Sequence, residues 1–338
     1  MQPITVLKNC IGVNMLSDPS RIRFDPEQGL TELALGINVD VDRNNFVHRR
    51  KGYSELTTGN YNSGWCDGAG AYCVKEETGY GVLHQVNANY STTAIRTGLT
   101  ANRPMSFARM GPYTFYANGF ESGYVHEDSS NGLWTADEAY VGPLGFDSSE
   151  IATWTHTNQK PRGIHEVRRY PPPGNHVAVL SGFALIASGN GLFFSLPNHP
   201  FYWRWSVDWV QFEEDITMVL PVDDGVFVSD LNATYFLKGV DPQKWVRVKV
   251  TETTAVPYAV CPYRFDASRS PFLADRNFFS LVGLWWANPG KNGEPGGLTV
   301  GSENGRVFNI THDRIAVPWS NHGALALYDD QAIVTLES

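Results

Sequence analysis

A chain of 338 residues that is 42% hydrophobic and 13% aromatic against 18% charged holds enough apolar material for one large domain or two ordinary ones. Its formal net charge of −9 argues against general binding to nucleic acid by phosphate neutralisation, so no specific nucleic-acid contact is expected. The 32 Gly and 20 Pro favour an all-β fold with many turns, because either residue ends a helix more readily than it ends a hairpin.

Residues 1–30 read as an N-terminal arm or as the strand that closes the fold, with strand composition from Pro3 to Leu7 and a polar connector after Gly12-Val13-Asn14. No basic stretch followed by an apolar core opens the sequence, and no run reaches the length of a membrane span, so synthesis in a cytoplasm without membrane insertion is expected. Residues 31–338 read as a single domain. Its first hairpin runs through Asn38-Val39-Asp40-Val41, turns in residues 42–45, and returns from Phe46 to Tyr53. A second group occupies residues 64–97, and a third turns at Gly111-Pro112 between residues 105–110 and 113–119. Residues 120–175 carry Ser, Asn, Gly and Pro171-Pro172-Pro173-Gly174, and read as an irregular insertion.

Residues 182–239 state one theme twice. Residues 183–187 and 192–196 flank Ser188-Gly189-Asn190-Gly191, where Asn-Gly is expected to supply the positive φ of a tight hairpin. Residues 218–222 and 226–228 flank Asp223-Asp224-Gly225, and 234–237 continue. The runs are too short and too rich in β-branched and aromatic residues for helices. After a strand at 245–250, residues 251–262 read as a connector. Strands follow at 281–286, 297–301 and 306–310, and a last hairpin at 324–328 and 332–336.

The turns Asn118-Gly119, Asn190-Gly191, Asp224-Gly225 and Asn304-Gly305 are separated by multiples of roughly 35 to 40 residues, the period of a four-stranded propeller blade. The expected architecture is a β-propeller of about six blades, closed by the N-terminal strand and the C-terminal hairpin. A pair of β-sandwiches with similar turn spacing is the alternative.

Candidate chemistry is sparse. Gly64-Trp65-Cys66-Asp67-Gly68 has the outline of a nucleophile elbow but lacks the strand-to-helix context that makes one work. Asp40-Val41-Asp42-Arg43-Asn44 opens like a calcium loop, yet Asn45 and Lys51 stand where the loop needs Gly and Glu. Glu213-Glu214-Asp215 and Asp223-Asp224 could supply paired carboxylates, although neighbours in a strand point to opposite faces. The nine His and four Cys show no metal-ligand spacing and no CxxC, and the thiols read as buried. No catalytic, cofactor-binding or metal residue is therefore expected, and the chain reads as a non-enzyme. The basic run His48-Arg49-Arg50-Lys51 and the cluster Trp203, Arg204, Trp205 and Trp209 remain as possible interface residues, with blade packing or sugar stacking as further readings of the Trp residues.

The same residues carry a family resemblance. Asn38-Val39-Asp40-Val41 leading to Val47-His48-Arg49-Arg50-Lys51-Gly52-Tyr53 resembles the "NVDI…RRRxGY" opening of a family of tailed-bacteriophage virion proteins found in phage and prophage tail regions. Tyr116-Ala117-Asn118-Gly119, then residues 189–195, then 217–225, then 235–239, and lastly Gly305-Arg306-Val307-Phe308-Asn309-Ile310-Thr311 continue the pattern in order. The resemblance implies a β-propeller acting as a virion tail component, similar to nozzle and adaptor propellers or to distal tail and baseplate proteins, without catalytic residues. It also implies several copies in a symmetric assembly with other tail proteins (tube, hub, portal, adaptor or fibres) as partners. Gly12-Val13-Asn14-Met15 keeps only part of the family's "NGINN" type start, which leaves the contacts of residues 1–30 open. An interface with a host receptor or glycan, or a propeller glycosidase acting on surface polysaccharide, are the alternatives.

Overall fold

In a computed structural model of the chain, residues 5–7, 10–16, 24–25, 30–36, 39–41, 46–49, 57–134, 170–264, 281–311, 314–315, 317–328 and 331–337 are described. Six short strands come first: β1 (Thr5–Leu7), β2 (Cys10–Val13), β3 (Phe24–Asp25), β4 (Leu30–Leu33), β5 (Val39–Val41) and β6 (Val47–Arg49). They form two small sheets, β1-β6-β5 and β2-β4-β3. The hairpin expected around Asp40 is present as β5 against β6, with Asp40 opposite His48. Its turn, together with Arg50 and Lys51, lies outside the described residues.

Five antiparallel sheets follow, each built outward from its first strand. Blade I holds β7 (Tyr61–Cys66), β8 (Ala71–Glu77), β9 (Tyr80–Val86) and β10 (Thr92–Leu99). Blade II holds β11 (Ser106–Met110), β12 (Tyr113–Ala117), β13 (Ser122–His126) and β14 (Asn131–Leu133). Blade III holds β15 (His176–Leu180), β16 (Phe183–Ser188), β17 (Gly191–Leu196) and β18 (His199–Trp203), with β19 (Trp209–Gln211) also on β17. Blade IV holds β20 (Ile216–Val222), β21 (Gly225–Asp230), β22 (Thr234–Lys238) and β23 (Val246–Thr251). Blade V holds β24 (Thr254–Arg264), β25 (Leu281–Asn288), β26 (Gly297–Ser302) and β27 (Arg306–Asn309). A last hairpin, β28 (His322–Tyr328) with β29 (Gln331–Glu337), packs beside β24. The fold is thus an all-β propeller.

The expected blade count needs correcting. Among the described residues five full blades stand where about six were expected from the turn spacing, and β28–β29 follows blade V as a two-stranded hairpin. Nor is the expected closure present among the described residues, where β1 pairs with β6, β2 pairs with β4, and β28 and β29 pair with each other.

Alternation within the strands explains the architecture. Period-two alternation gives each sheet two apolar faces, and each face meets the next blade. Tyr72, Val74, Leu83 and Leu99 of blade I pack on Met105, Tyr116 and Val125 of blade II. Phe115 and Trp134 then meet Ile186, Phe201 and Trp203 of blade III. Leu185, Leu192 and Phe194 meet Val226, Val228 and Leu237 of blade IV. Adjacent residues on β25 serve opposite seams: Trp285 joins Phe227 and Phe236, and Trp286 joins the cluster that includes Leu325 of β28. A sandwich pair would have two layers and one seam per pair, whereas here the seams succeed one another around a central channel.

The turns obey the backbone rules with one change from the sequence reading. Ser188 pairs with Gly191, so the loop is Gly189-Asn190, and the positive φ belongs to Gly189 at 56°, as a type II′ turn requires. Gly225 has no positive φ. It is needed because an added Cβ would lie 2.3 Å from the Leu237 carbonyl oxygen and 2.6 Å from Phe236 Cζ.

Two assignments fail for physical reasons. Residues 122–133, read as part of the insertion, form β13 and β14, since the buried positions Ser122 and Gly123 of β13 break up an apolar run and β14 is the half-solvated outer strand; residues 135–169 lie outside the described residues. Residues 254–262, read as a connector, are the innermost strand β24. Its prolines misled the reading: Pro257 falls where the register shifts between Ala255 and Val260, and the strand is the inner edge of its sheet. Bulges and edges are the places where a sheet tolerates proline.

First strands have one edge unpaired by their own sheet, and serine hydroxyls tie them together. Ser63 Oγ accepts from Met105 N at 2.7 Å, and Ser106 Oγ accepts from Val177 N at 3.0 Å. Ser106→Ala is expected to cost about 1 kcal/mol by leaving the Val177 N–H without its acceptor. A denaturant midpoint equal to that of the parent protein would contradict it.

Candidate functional site

The central channel, about 840 Å³, is lined by the first strands of all five blades and by β28 and β29. The seam contacts Ser63 to Met105 and Ser106 to Val177 align the starts of β7, β11 and β15 at one end. Ser63, Ser106 and His176 lie at that end with Tyr258 against His176, and His322 and Glu337 also line the channel. Elsewhere the lining is mainly apolar, including Phe107, Val179, Leu220, Pro221, Val260 and Leu325.

His176 opens β15 and is 6% exposed. Burial, with no charged or hydrogen-bonding neighbour contributing, depresses its pKa from 6.5 to about 4, so the imidazole is neutral at pH 7. Its ring lies 4.9 Å from that of Tyr258, at 40°. Tyr258 sits in the β24 bulge at φ 65°, an uncommon conformation for a bulky residue. Burial pushes its hydroxyl up to about 12, with the Arg103 charge opposing, so it too is neutral. The bulge is what turns this tyrosine toward β15. Sequence reasoning missed both residues, which are distant in the chain and meet only where blades III and V face the same channel. Pro257 inside an otherwise apolar run was the one local sign of a bulge.

The residues singled out in the sequence do not converge. Trp203 is a core residue, 1% exposed, with Nε1 donating to the Pro200 carbonyl at 2.8 Å and its ring edge-on to Trp134. It therefore cannot be the interface residue expected of it. Arg204 forks onto the buried Asp208 carboxylate, at 2.5 Å from Nε and 2.7 Å from Nη2, which commits its guanidinium to the fold. Trp205 is half-buried, donating from Nε1 to the Tyr170 carbonyl at 3.0 Å. Trp209 alone of the three is open: 37% exposed, on an outer strand, with its ring stacked on Phe193 at 5.7 Å and 13°. Arg49 is exposed at the end of β6, and Arg50 lies outside the described residues. The cluster is split between β18, which ends at Trp203, and β19, which begins at Trp209, with Arg204 and Trp205 in the connection.

The acidic pairs are structural. Asp223 Oδ2 accepts from Leu281 N at 2.8 Å and Asp224 Oδ2 accepts from Asn304 N at 2.7 Å, so the β20–β21 turn clamps blade V. Glu213, Glu214 and Asp215 are exposed. Gly64 to Gly68 lies in the β7–β8 hairpin, and Cys66 is exposed rather than buried as expected; Cys10 is buried and all four cysteines are free. Among the described residues no group of three or more His, Cys, Asp and Glu is placed to hold a metal, and no helix is long and apolar enough to cross a membrane.

No protein-family model and no curated protein matches the chain. Solved structures with a similar course include the extracellular domain of a protein described as a one-component system from B. thetaiotaomicron, at 10% identity and a TM-score of 0.41 over 85% of this chain. The chain spans 34% of that protein's length. The AfRom2 CNH domain is similar at 12% identity and a TM-score of 0.35, over 81% of this chain and 71% of its own. Kluyveromyces lactis Hsv2p is similar at 9% identity and a TM-score of 0.34, over 82% and 89%. Likenesses of this size carry no statement about activity, substrate or partner.

Proposed function

We propose that the chain is a non-enzymatic structural component of a bacteriophage tail, present in several copies and making assembly contacts with other tail proteins. The observation that carries this reading is the ordered run of hairpin sequences from Asn38 to Thr311 that resembles tailed-phage virion proteins. A propeller suits such a part physically. Every blade is braced by its neighbours, so the loops and outer strands present a surface whose geometry is fixed before assembly, which lowers the ordering cost of association. The outer strand β23 offers such a surface, with Val246 61% and Val248 46% exposed on one face of a sheet edge.

Cryo-EM of the phage particle tests the proposal. Density at the tail that takes the five-bladed chain in several symmetric copies is the expected result; a particle whose tail density accommodates no copy overturns it.

A second reading, a receptor-binding module, is favoured by one observation: the open, flat Trp209 ring backed by Phe193. Such a platform suits the apolar face of a sugar. Binding of the purified chain on a glycan array that disappears with Trp209→Ala supports this reading, and unchanged host adsorption by phage carrying that substitution counts against it.

A further inference from the structure

We propose that the polar end of the central channel is a binding site for a small neutral molecule with an apolar body and one hydroxyl or carboxamide head group, the head seated between His176 and Tyr258.

The space is adequate: about 840 Å³ lies within the roughly 300–1,000 Å³ range of small-molecule sites. The two polar groups are unusual in what they lack. His176 is 6% exposed and lines the channel, yet only burial moves its titration, and its contact is with the face of another ring. Tyr258 lines the same space, and burial followed by the charge of Arg103 accounts for its titration, with no hydrogen bond contributing. His176 is buried and Tyr258 half-buried, both line one cavity, and among the described residues they meet each other only ring to ring, so their polar atoms are left open to a partner that enters from outside the chain. A bulge and a positive φ hold Tyr258 there, a conformation that persists where the surroundings enforce it and is concentrated at binding sites.

The head group follows from protonation. Neutral imidazole offers one donor and one acceptor, and a phenol offers both, which a hydroxyl or carboxamide can satisfy at once. Among the described residues the lining holds no Lys or Arg and a single carboxylate, Glu337, which is exposed, so an ion would find little opposite charge there. Arg103 stands outside the lining, with its guanidinium over the Phe120 ring at 4.6 Å. The body follows from the apolar lining, where Val179, Leu220 and Val260 face the same cavity.

The test is an NMR titration of the full chain with p-cresol and benzamide, with benzoate and benzylamine as charged counterparts, following the His176 imidazole resonances. Saturable shifts at His176 with the neutral probes, at least tenfold weaker with either charged one, are expected. Tyr258→Phe should weaken p-cresol about tenfold. Val179→Phe, which narrows the apolar part and leaves the head-group residues in place, should weaken both neutral probes and keeps the test decisive if the first variant does not fold. No saturable shift at His176 up to the solubility limit, or benzoate binding as tightly as p-cresol, overturns the proposal.

Discussion

Trp285→Ala is expected to destabilise the protein by about 3 kcal/mol, the lower end of the range of about 3–5 kcal/mol for deleting a buried Trp or Phe side chain. Trp285 is 0% exposed at the seam between blades IV and V, with its ring 5.4 Å from Phe227 and Phe227 in turn 4.8 Å from Phe236. Gly301 shows how closely the seam is filled: a Cβ there would lie 2.6 Å from Phe227 Cε2 and 2.7 Å from Trp285 Cζ3. The hole cannot collapse, because Phe227 and Phe236 hang from adjacent strands held in register by the β21–β22 ladder. One term works the other way. Trp285 Nε1 is buried without a hydrogen-bond partner, so deleting the indole also removes a desolvated donor, which costs about 1–3 kcal/mol while it is present. Trp285→Phe separates the two terms, since it keeps most of the ring and loses the donor, and it should cost about 1 kcal/mol or less. Denaturant midpoints measure both. A midpoint for Trp285→Ala within error of the parent would contradict the seam as the source of stability, and a lowered slope would show blades IV and V parting before the rest.

How far the sequence discloses this molecule depends on where a strand sits in its blade. Middle strands have both faces and both edges covered, and their residues say so: 183–187, 192–196, 226–228 and 281–286 are apolar runs between turns, and all are strands. Outer strands are half-solvated and lose that signature. Asn131-Gly132-Leu133 reads as loop, yet it is β14, and Gly132 is glycine because a Cβ would lie 2.5 Å from Tyr124 Oη. Inner strands lose it differently, since their free edge admits the prolines of β24 that resemble a break. Turn spacing conveys the repeat but not the count, because a two-stranded hairpin ends as a full blade would begin. The candidate site was the least legible part. Period-two alternation implies that Trp203 and Trp205 share a face while β18 lasts, but that strand stops at Trp203, and only the fold tells which face meets blade II. Apart from Pro257 beside Tyr258, nothing local marks His176 and Tyr258, for their meeting depends on how blades III and V are placed around the channel.

The same imidazole gives the second large effect. The folded state holds His176 at about 4 against an ordinary 6.5, so the unfolded chain binds the proton more readily and takes up more protons as the medium is acidified. Stability from this residue is fully present above about pH 7, falls as pH drops through 6.5 toward 4, and is flat below. At about 1.4 kcal/mol per unit, the loss across that window is about 3 kcal/mol. Most carboxylates act lower. Glu121, which burial raises but hydrogen bonds from Thr100 and Asn118 together hold below its ordinary value, and Asp128, lowered to about 2 chiefly by Ser130, lose their contributions as pH falls below about 4.5. Between pH 6.5 and 5, then, the slope of midpoint against pH belongs largely to buried imidazole. His84 and His199, also lowered by burial but far less enclosed, add smaller slopes of the same sign. His176→Gln keeps a polar side chain of similar length and removes the proton site, so its stability should be nearly level from pH 7 to 5 while the parent's falls. Equal slopes for the two proteins would mean that the imidazole is hydrated through the channel, and burial as the cause of its lowered titration would have to be abandoned.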